Sequence, residues 1–295
     1  MSDAAPIVFH NGAFLDYPEA RVDVQERGTL FADGVYEVVR FDQGRPFAMQ
    51  AHVDRFARSL DGIELAGVDP AKFSDWSHEL LERNELTDAK VYWQVSRGPA
   101  TRDFLISDMV TPSLTLLAYP AVPIERGVPL KSGSALIVDD CRWTNCWIKS
   151  LMLLPASLAK TRAHRAGAVE AIFERAKPGV TEKHITEGSA TNLFAVRGGE
   201  LFTHPDDGWV LGGITRDALL KLADRLGVAA HDDRPFTRQD LLAADEIFVC
   251  STTQVVAITS ILGDADQPAH PIADGRPGSV TQQLHEAYLD AILAP

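Results

Sequence analysis

The chain is poor in cysteine, short of basic residues and without a long apolar run, and each shortage removes a class of protein. Its 295 residues include three cysteines, Cys141, Cys146 and Cys250. The number is odd and no CxxC-like pair occurs, which argues against a disulfide framework and a zinc site alike. Lys and Arg total 28 against 41 Asp and Glu, a net charge of −13, so neither a nucleic-acid backbone nor an anionic membrane is an expected partner. No stretch approaches about eighteen consecutive apolar residues, and no membrane span is expected. The opening MSDAAPIVFHNG lacks the basic and apolar regions of a secretory signal, which makes the cytoplasm the expected compartment. Repeats and low-complexity tracts are missing as well.

What remains is an ordinary globular mixture, 45% hydrophobic and 23% charged, long enough for two cores. Residues 7–15 and 34–49 alternate as strands, the second turning at Asp42-Gln43-Gly44. Residues 51–65 and 69–86 have helical spacing, the latter with Pro70 near its start. Strands return at 90–98 and 113–120. The proline-dense PAVPIERGVP that follows marks a boundary, giving a small domain over 1–120, a connector over 121–129 and a larger domain over 130–295. In the larger part, strands at 134–140 and 169–175 flank a helix over 154–167 that closes on Gly167, and a hairpin turns at Gly198-Gly199. A helix over 214–228 has Thr215 as cap candidate and Gly227 at its end; buried strands over 246–262 and a helix over 280–293 complete the chain. The expected architecture is α+β, two domains with a cleft between them.

Six local features carry chemistry. Lys149 stands in RWTNCWIKSLMLL among tryptophan, isoleucine, leucine and methionine. It either snorkels, with its stem on apolar surface, or is a partly dry amine able to act as a nucleophile. GGIT delivers two glycines into a helix start, where the N–H groups of Ile214 and Thr215 could hold a phosphate or simply begin a helix. Ser251, Thr252 and Thr253 end an apolar strand; their hydroxyls serve an anion or their own turn. Arg55 could reach a phosphate or pair with Asp54 or Asp61, and Glu187 precedes Gly188 where the backbone can come close to a ring. In VYEVVR the two-residue period puts Tyr36, Val38 and Arg40 on one face and Val35, Glu37 and Val39 on the other.

Taken in order, ERGTLFADGVYEVVR, HVDRF, IKSLMLLPASLAKTRAHRAGAVEAIF, TEGSATNLFAV, LGGITRD and FVCSTT resemble the class IV, or fold type IV, aminotransferases, and within them the D-amino-acid aminotransferases. The resemblance runs from about residue 8 to residue 262. It implies pyridoxal phosphate in a cleft between a small N-terminal and a larger C-terminal domain, with Lys149 as Schiff-base lysine and proton carrier. Glu187 would face the pyridinium nitrogen. Arg55, the N–H groups of Ile214 and Thr215, and Thr252 with Ser251 beside it would hold the phosphate, and Leu211 would pack on the ring. Tyr36 and Arg102 would bind the substrate carboxylate, beside Val38, Arg40 and Phe104. A homodimer is implied as well.

Two departures from the family pattern stand out. GPATRDFLI has Arg102 but places Phe104 where the pattern has a histidine. One lost donor weakens carboxylate binding by about 1–3 kcal/mol unless replaced; Arg40 is the expected replacement, and an apolar wall there also admits primary amines. The run before Glu187 is longer than usual and contains a second acid, Glu182; the pattern of Gly188 and Asn192 favours Glu187. The expected activity is ping-pong transamination between a D-amino acid (D-alanine, D-glutamate, D-aspartate) and a 2-oxo acid. The alternatives are an (R)-selective amine or branched-chain L-amino-acid aminotransferase, an aminodeoxychorismate lyase-like enzyme, and a non-catalytic binding protein.

Overall fold

A computed structural model describes residues 5–107, 110–263 and 268–294. The chain divides into two compact units, the first comprising Met1–Ile124 with Ile148–Met152, the second Glu125–Trp147 with Leu153–Pro295.

The first unit contains β1 (Ile7–His10), β2 (Ala13–Asp16), α1 (Arg27–Phe31), β3 (Gly34–Asp42), β4 (Arg45–Pro46), α2 (Met49–Gly62), α3 (Lys72–Arg83), β5 (Ala89–Ser96) and β6 (Ser113–Pro120). Its six strands form one sheet in the order β2-β1-β6-β5-β3-β4. The β3–β4 turn places Gln43 and Gly44 at φ 50° and 76°, the two left-handed positions that a tight hairpin of this twist requires. One sheet face is covered by α2 and α3 through an aromatic cluster in which Phe56, Phe73 and Trp93 are fully buried. The indole N–H of Trp93 donates to Ser77 Oγ at 2.8 Å, so the cluster leaves no stranded polar edge there.

The second unit contains β7 (Lys131–Asp139), α4 (Leu154–Arg165), β8 (Glu170–Ala176), β9 (Lys183–Gly188), β10 (Asn192–Arg197), β11 (Glu200–Thr203), α5 (Ile214–Arg225), β12 (Ala230–His231), α6 (Arg238–Leu242), β13 (Glu246–Ser251), β14 (Gln254–Ile261), β15 (His270–Pro271) and α7 (Ser279–Leu293). The sheet runs β12-β11-β10-β13-β14-β7-β8-β9, with β15 on β14. It mixes parallel and antiparallel pairs: β7 lies parallel to both β14 and β8, and β10, β13 and β14 are antiparallel neighbours. Ile172, Leu193, Ile247, Val249 and Ile258 are among the residues of its main apolar core, while α4 packs Ala159 and Ala163 over Ala171 and Phe173.

Two expectations need correction. Thr215 does not cap α5: the cap is Gly213, and the Thr215 hydroxyl is already engaged with the Ser251 carbonyl at 3.1 Å and Tyr288 Oη at 3.0 Å. The chain over 130–295 is also not one continuous unit. Residues 148–152 return to the first unit because Val35 and Ser150 form a β-bridge, flanked by Tyr36 N–H to Lys149 O at 2.9 Å and Leu151 N–H to Gly34 O at 2.9 Å. That add-on to the edge of β3 is a backbone event, and no side-chain pattern announces it.

Among the described residues, no helix is long and apolar enough to cross a membrane, and no group of three or more His, Cys, Asp or Glu is placed to hold a metal ion.

Candidate active site

In the first unit the candidate site is built on β3. Strand alternation turns Glu37 inward with Val35 and Val39 and leaves Tyr36 and Val38 half-buried on the other face. The bridge at Ser150 then carries Lys149 to that second face. Its Nζ lies 3.3 Å from Tyr36 Oη and 4.4 Å from the Tyr36 ring centroid. Its backbone N–H donates to Ser59 Oγ of α2 at 3.2 Å. The lysine is therefore half-buried, fixed at its backbone and directed onto a phenol, rather than spread into solvent. Tyr36 in turn stacks on Tyr92 at 5.6 Å.

Beneath this face lies a buried network that the motif pattern missed. Arg55 donates to Glu37 through Nε at 2.6 Å and Nη2 at 2.9 Å, and His52 Nδ1 pairs with Glu37 Oε2 at 2.9 Å. Asp54, one expected partner of Arg55, instead accepts from Gln50. Burial works against the Glu37 anion, but Arg55 and His52 override it and hold the carboxyl far below its usual range. Burial lowers the His52 pKa, only partly offset by Glu37. A carboxylate on the apolar side of a strand demands a cation, and His52 and Arg55 share one helix face; this was the available signal.

The expected carboxylate wall is only partly assembled. Arg40 is buried and its Nη2 donates to Asp42 at 3.1 Å and to the Val122 carbonyl at 2.6 Å. These bonds hold its guanidinium at the strand end, so it does not serve as the substitute donor. Arg102 is exposed, with its guanidinium 5.5 Å from the Phe31 ring and 6.0 Å from Phe104. Phe104 is 82% exposed and meets Phe31 edge-on at 5.7 Å.

In the second unit Glu187 lies near the end of β9 and is buried. Its Oε1 accepts from Arg142 Nη1 at 2.7 Å; its Oε2 accepts from Asn192 Nδ2 and from the Leu211 N–H, each at 3.1 Å. Asn192 also donates to the Leu211 carbonyl at 2.8 Å, locking the loop before α5 against Glu187. Burial raises the Glu187 pKa, with Arg142 and the Leu211 amide opposing. Burial likewise disfavours the Arg142 cation, yet Glu187 and Asp140 hold its proton more tightly than usual. The two directions conflict for a simple pair. The 2.7 Å contact and three donors on one carboxylate decide for the ionised pair. Arg142 was not anticipated, although it lies seven positions before Lys149 in the same motif. Glu182, the rival acid, is exposed and paired with His184.

The start of α5 lies in the same unit, joined to Glu187 through the Leu211 loop. Gly213 caps it with no side-chain hydrogen bond, which leaves the first-turn N–H groups of Ile214 and Thr215 without a capping side chain. A Cβ on Gly213 would collide with Asn192 Oδ1, which accounts for glycine at this point. Ser251 and Thr252 follow at the end of β13, where the Ser251 and Thr252 carbonyls accept from Thr215 and Tyr288. Within the second unit, the α5 start without a side-chain cap, the end of β13 and the buried Glu187 carboxylate are linked through Thr215 and Leu211, an arrangement of backbone donors that suits an anionic group.

Residues 34–261 match the model of the amino-transferase class IV family. The chain belongs to the class IV aminotransferases. It is 35% identical over 291 residues to a D-alanine aminotransferase of Bacillus licheniformis, covering 97% of both chains. It is 34% identical to a D-alanine aminotransferase of Staphylococcus aureus strain N315, covering 95% of this chain and 96% of that one. A solved branched-chain amino acid aminotransferase with pyridoxamine 5'-phosphate superposes with a TM-score of 0.85 at 26% identity, covering 98% of this class IV chain and 94% of that one. Fold type IV thus describes the architecture.

Proposed function

We propose that this class IV aminotransferase uses pyridoxal phosphate to move an amine from a D-amino acid, of the D-alanine, D-glutamate or D-aspartate type, to a 2-oxo acid. The single observation that carries the reading is the half-buried Lys149 amine held 3.3 Å from the Tyr36 hydroxyl over β3. A lysine so placed is partly shielded from bulk water and has its amine oriented by the phenol. The full-length likeness to D-alanine aminotransferases supports the D-amino-acid choice.

When bound, the cofactor supplies an electron sink for the pair left at the donor Cα and carries the amine between half-reactions. Lys149 Nζ would be the amine that holds the cofactor and would carry the proton at the donor Cα, with Tyr36 orienting it. Glu187, held ionised by Arg142 and fixed by Asn192, would accept from a protonated ring nitrogen and so keep that proton in place. Arg55, the N–H groups of Ile214 and Thr215, and the hydroxyls of Ser251 and Thr252 would hold the phosphate, and Leu211 would pack on the ring. Arg102 and Tyr36 bind the donor carboxylate, with Val38 and Phe104 lining its side-chain space. A homodimer in the cytoplasm completes the proposal; Leu154 and Leu158, one turn apart on α4 and 69% and 60% exposed, support a partner-covered face.

A second reading, an enzyme for branched-chain L-amino acids or (R)-amines, rests on Phe104. Loading the protein with pyridoxal phosphate and mixing it separately with D-alanine, L-leucine and (R)-1-phenylethylamine separates them. The expected outcome is rapid loss of the visible band with D-alanine. Loss only with L-leucine or the amine would replace the donor assignment, and no loss with any would bring a lyase forward.

A further inference from the structure

The turn that carries Arg102 and Phe104 has no regular secondary structure, and residues 101–107 are exposed. A buried side chain, Arg27, is bonded to it. Arg27 is 4% exposed and donates from Nη1 to the Asp103 carbonyl at 2.7 Å, the backbone group between the two residues. Its Nε donates to Asp33 at 2.8 Å, and its guanidinium carbon stands 4.5 Å from the Phe31 ring centroid, the ring that Arg102 and Phe104 also approach.

Asp33 is itself immobilised. A second buried arginine, Arg97, donates from Nε to both Asp33 oxygens at 3.0 and 2.9 Å, and its outer nitrogens reach the Ile63 and Glu64 carbonyls after α2. The chain of fixed groups runs from the end of α2 through Arg97, Asp33 and Arg27 to one carbonyl of an exposed turn. A planar guanidinium is suited to this because its edges can bind two partners at set angles, which a lysine ammonium does not reproduce. Asp33 also opens the segment leading into Gly34 and Tyr36, so the same carboxylate ties the turn to the strand that carries the phenol.

We propose that Arg27 is a positioning residue for the donor carboxylate: through Asp103 O and the Phe31 ring it sets where Arg102 and Phe104 stand, and Asp33 and Arg97 set Arg27. The inference rests on the reading of Arg102 as carboxylate-binding. The Arg27 guanidinium is taken up by Asp33, the Asp103 carbonyl and the Phe31 ring, so its loss is expected to change how well the donor binds more than how fast bound donor reacts.

The test is steady-state kinetics with D-alanine on the cofactor-loaded, full-length protein carrying Arg27→Lys, Phe31→Leu or Arg102→Ala, together with melting temperature and the visible band. Arg27→Lys keeps a cation at Asp33 but gives up the second arm. The expected result is a KM raised roughly ten-fold in Arg27→Lys, with kcat within about two-fold of the parent and the visible band unmoved. A smaller rise in the same direction is expected for Phe31→Leu, which also decides the matter if Arg27→Lys fails to fold. An unchanged KM, or a loss confined to kcat, in the folded variants while Arg102→Ala raises KM would overturn the role of Arg27 alone. An unchanged KM in Arg102→Ala would overturn both assignments.

Discussion

At the scale of single residues, the site consists of charges that the fold has fully committed. Lys149→Ala is expected to lose activity by about 10³-fold or more and to show no visible band with pyridoxal phosphate, because the proposed mechanism makes the proton carrier and the point of attachment one group; a spectrum and a turnover assay check this. Arg142 is the sharper case. Its removal would leave Glu187 an uncompensated buried anion, and breaking a buried pair of this kind costs about 3–5 kcal/mol. Arg142→Met should therefore lower the melting temperature by several degrees before any kinetic effect is considered, whereas a purely catalytic role would leave it unmoved. Lys149 and Glu187 could be singled out as candidates because each stands in a run whose neighbours are mostly apolar or small. Arg142, His52 and Glu37 were not, since each is defined by a partner distant in sequence: Glu187 lies 45 positions from Arg142, and His52 lies 15 from Glu37.

At the scale of elements, periodicity and turn chemistry carried most of the assignment. The hairpins at Gln43-Gly44 and Gly198-Gly199 sit where glycine and positive φ were expected, and Gly167 and Gly227 follow the last turns of α4 and α5 at φ 85° and 73°. Side chains borrowed from other elements escaped notice. The start of α7 has Gly278 as cap and no capping side chain of its own; instead Glu246, the first residue of β13, accepts from the Val280 and Thr281 N–H groups at 3.0 and 2.8 Å and from the Thr281 hydroxyl at 2.6 Å. An anion at a helix start is favoured by the orphan N–H groups and the helix dipole together. Glu246→Gln should cost about 1 kcal/mol, and Glu246→Ala about 2 kcal/mol, in a denaturant titration. Equal stability of all three proteins would show that α7 begins without help. Gly213→Ala belongs at this scale too: with Asn192 in the way, the loop before α5 must shift, and the affinity for pyridoxal phosphate should drop while the fold survives.

For the whole molecule, the buried His52–Glu37–Arg55 network ties stability to pH. Both His52 and Glu37 have pKa values lowered by folding, so the folded protein binds fewer protons than the unfolded chain as acid is added. Their stabilisation is complete above the unfolded pKa of each and is lost on acidification, beginning below about pH 6.5 for His52 and below about pH 4.5 for Glu37. The groups facing the His52 ring are Glu37, Arg55 and Lys149, the two cations opposing its protonation. Melting temperatures from pH 8 to pH 5 should therefore decline, and the decline should be shallower in His52→Asn; parallel curves would assign the acid sensitivity elsewhere.

The five-residue return of Ile148–Met152 to the first unit has a consequence for inheritance and engineering. The backbone passes from one unit to the other at residues 124–125, 147–148 and 152–153, so no single cut in the gene separates them. A fragment ending at residue 124 would lack the lysine its own strand face was shaped to receive, and a fragment beginning at 125 would carry that lysine with nothing to pair its backbone. Swapping halves between related enzymes as cassettes should fail unless 148–152 travels with β3. The β3 face and Lys149 are thus bound to be exchanged together or not at all.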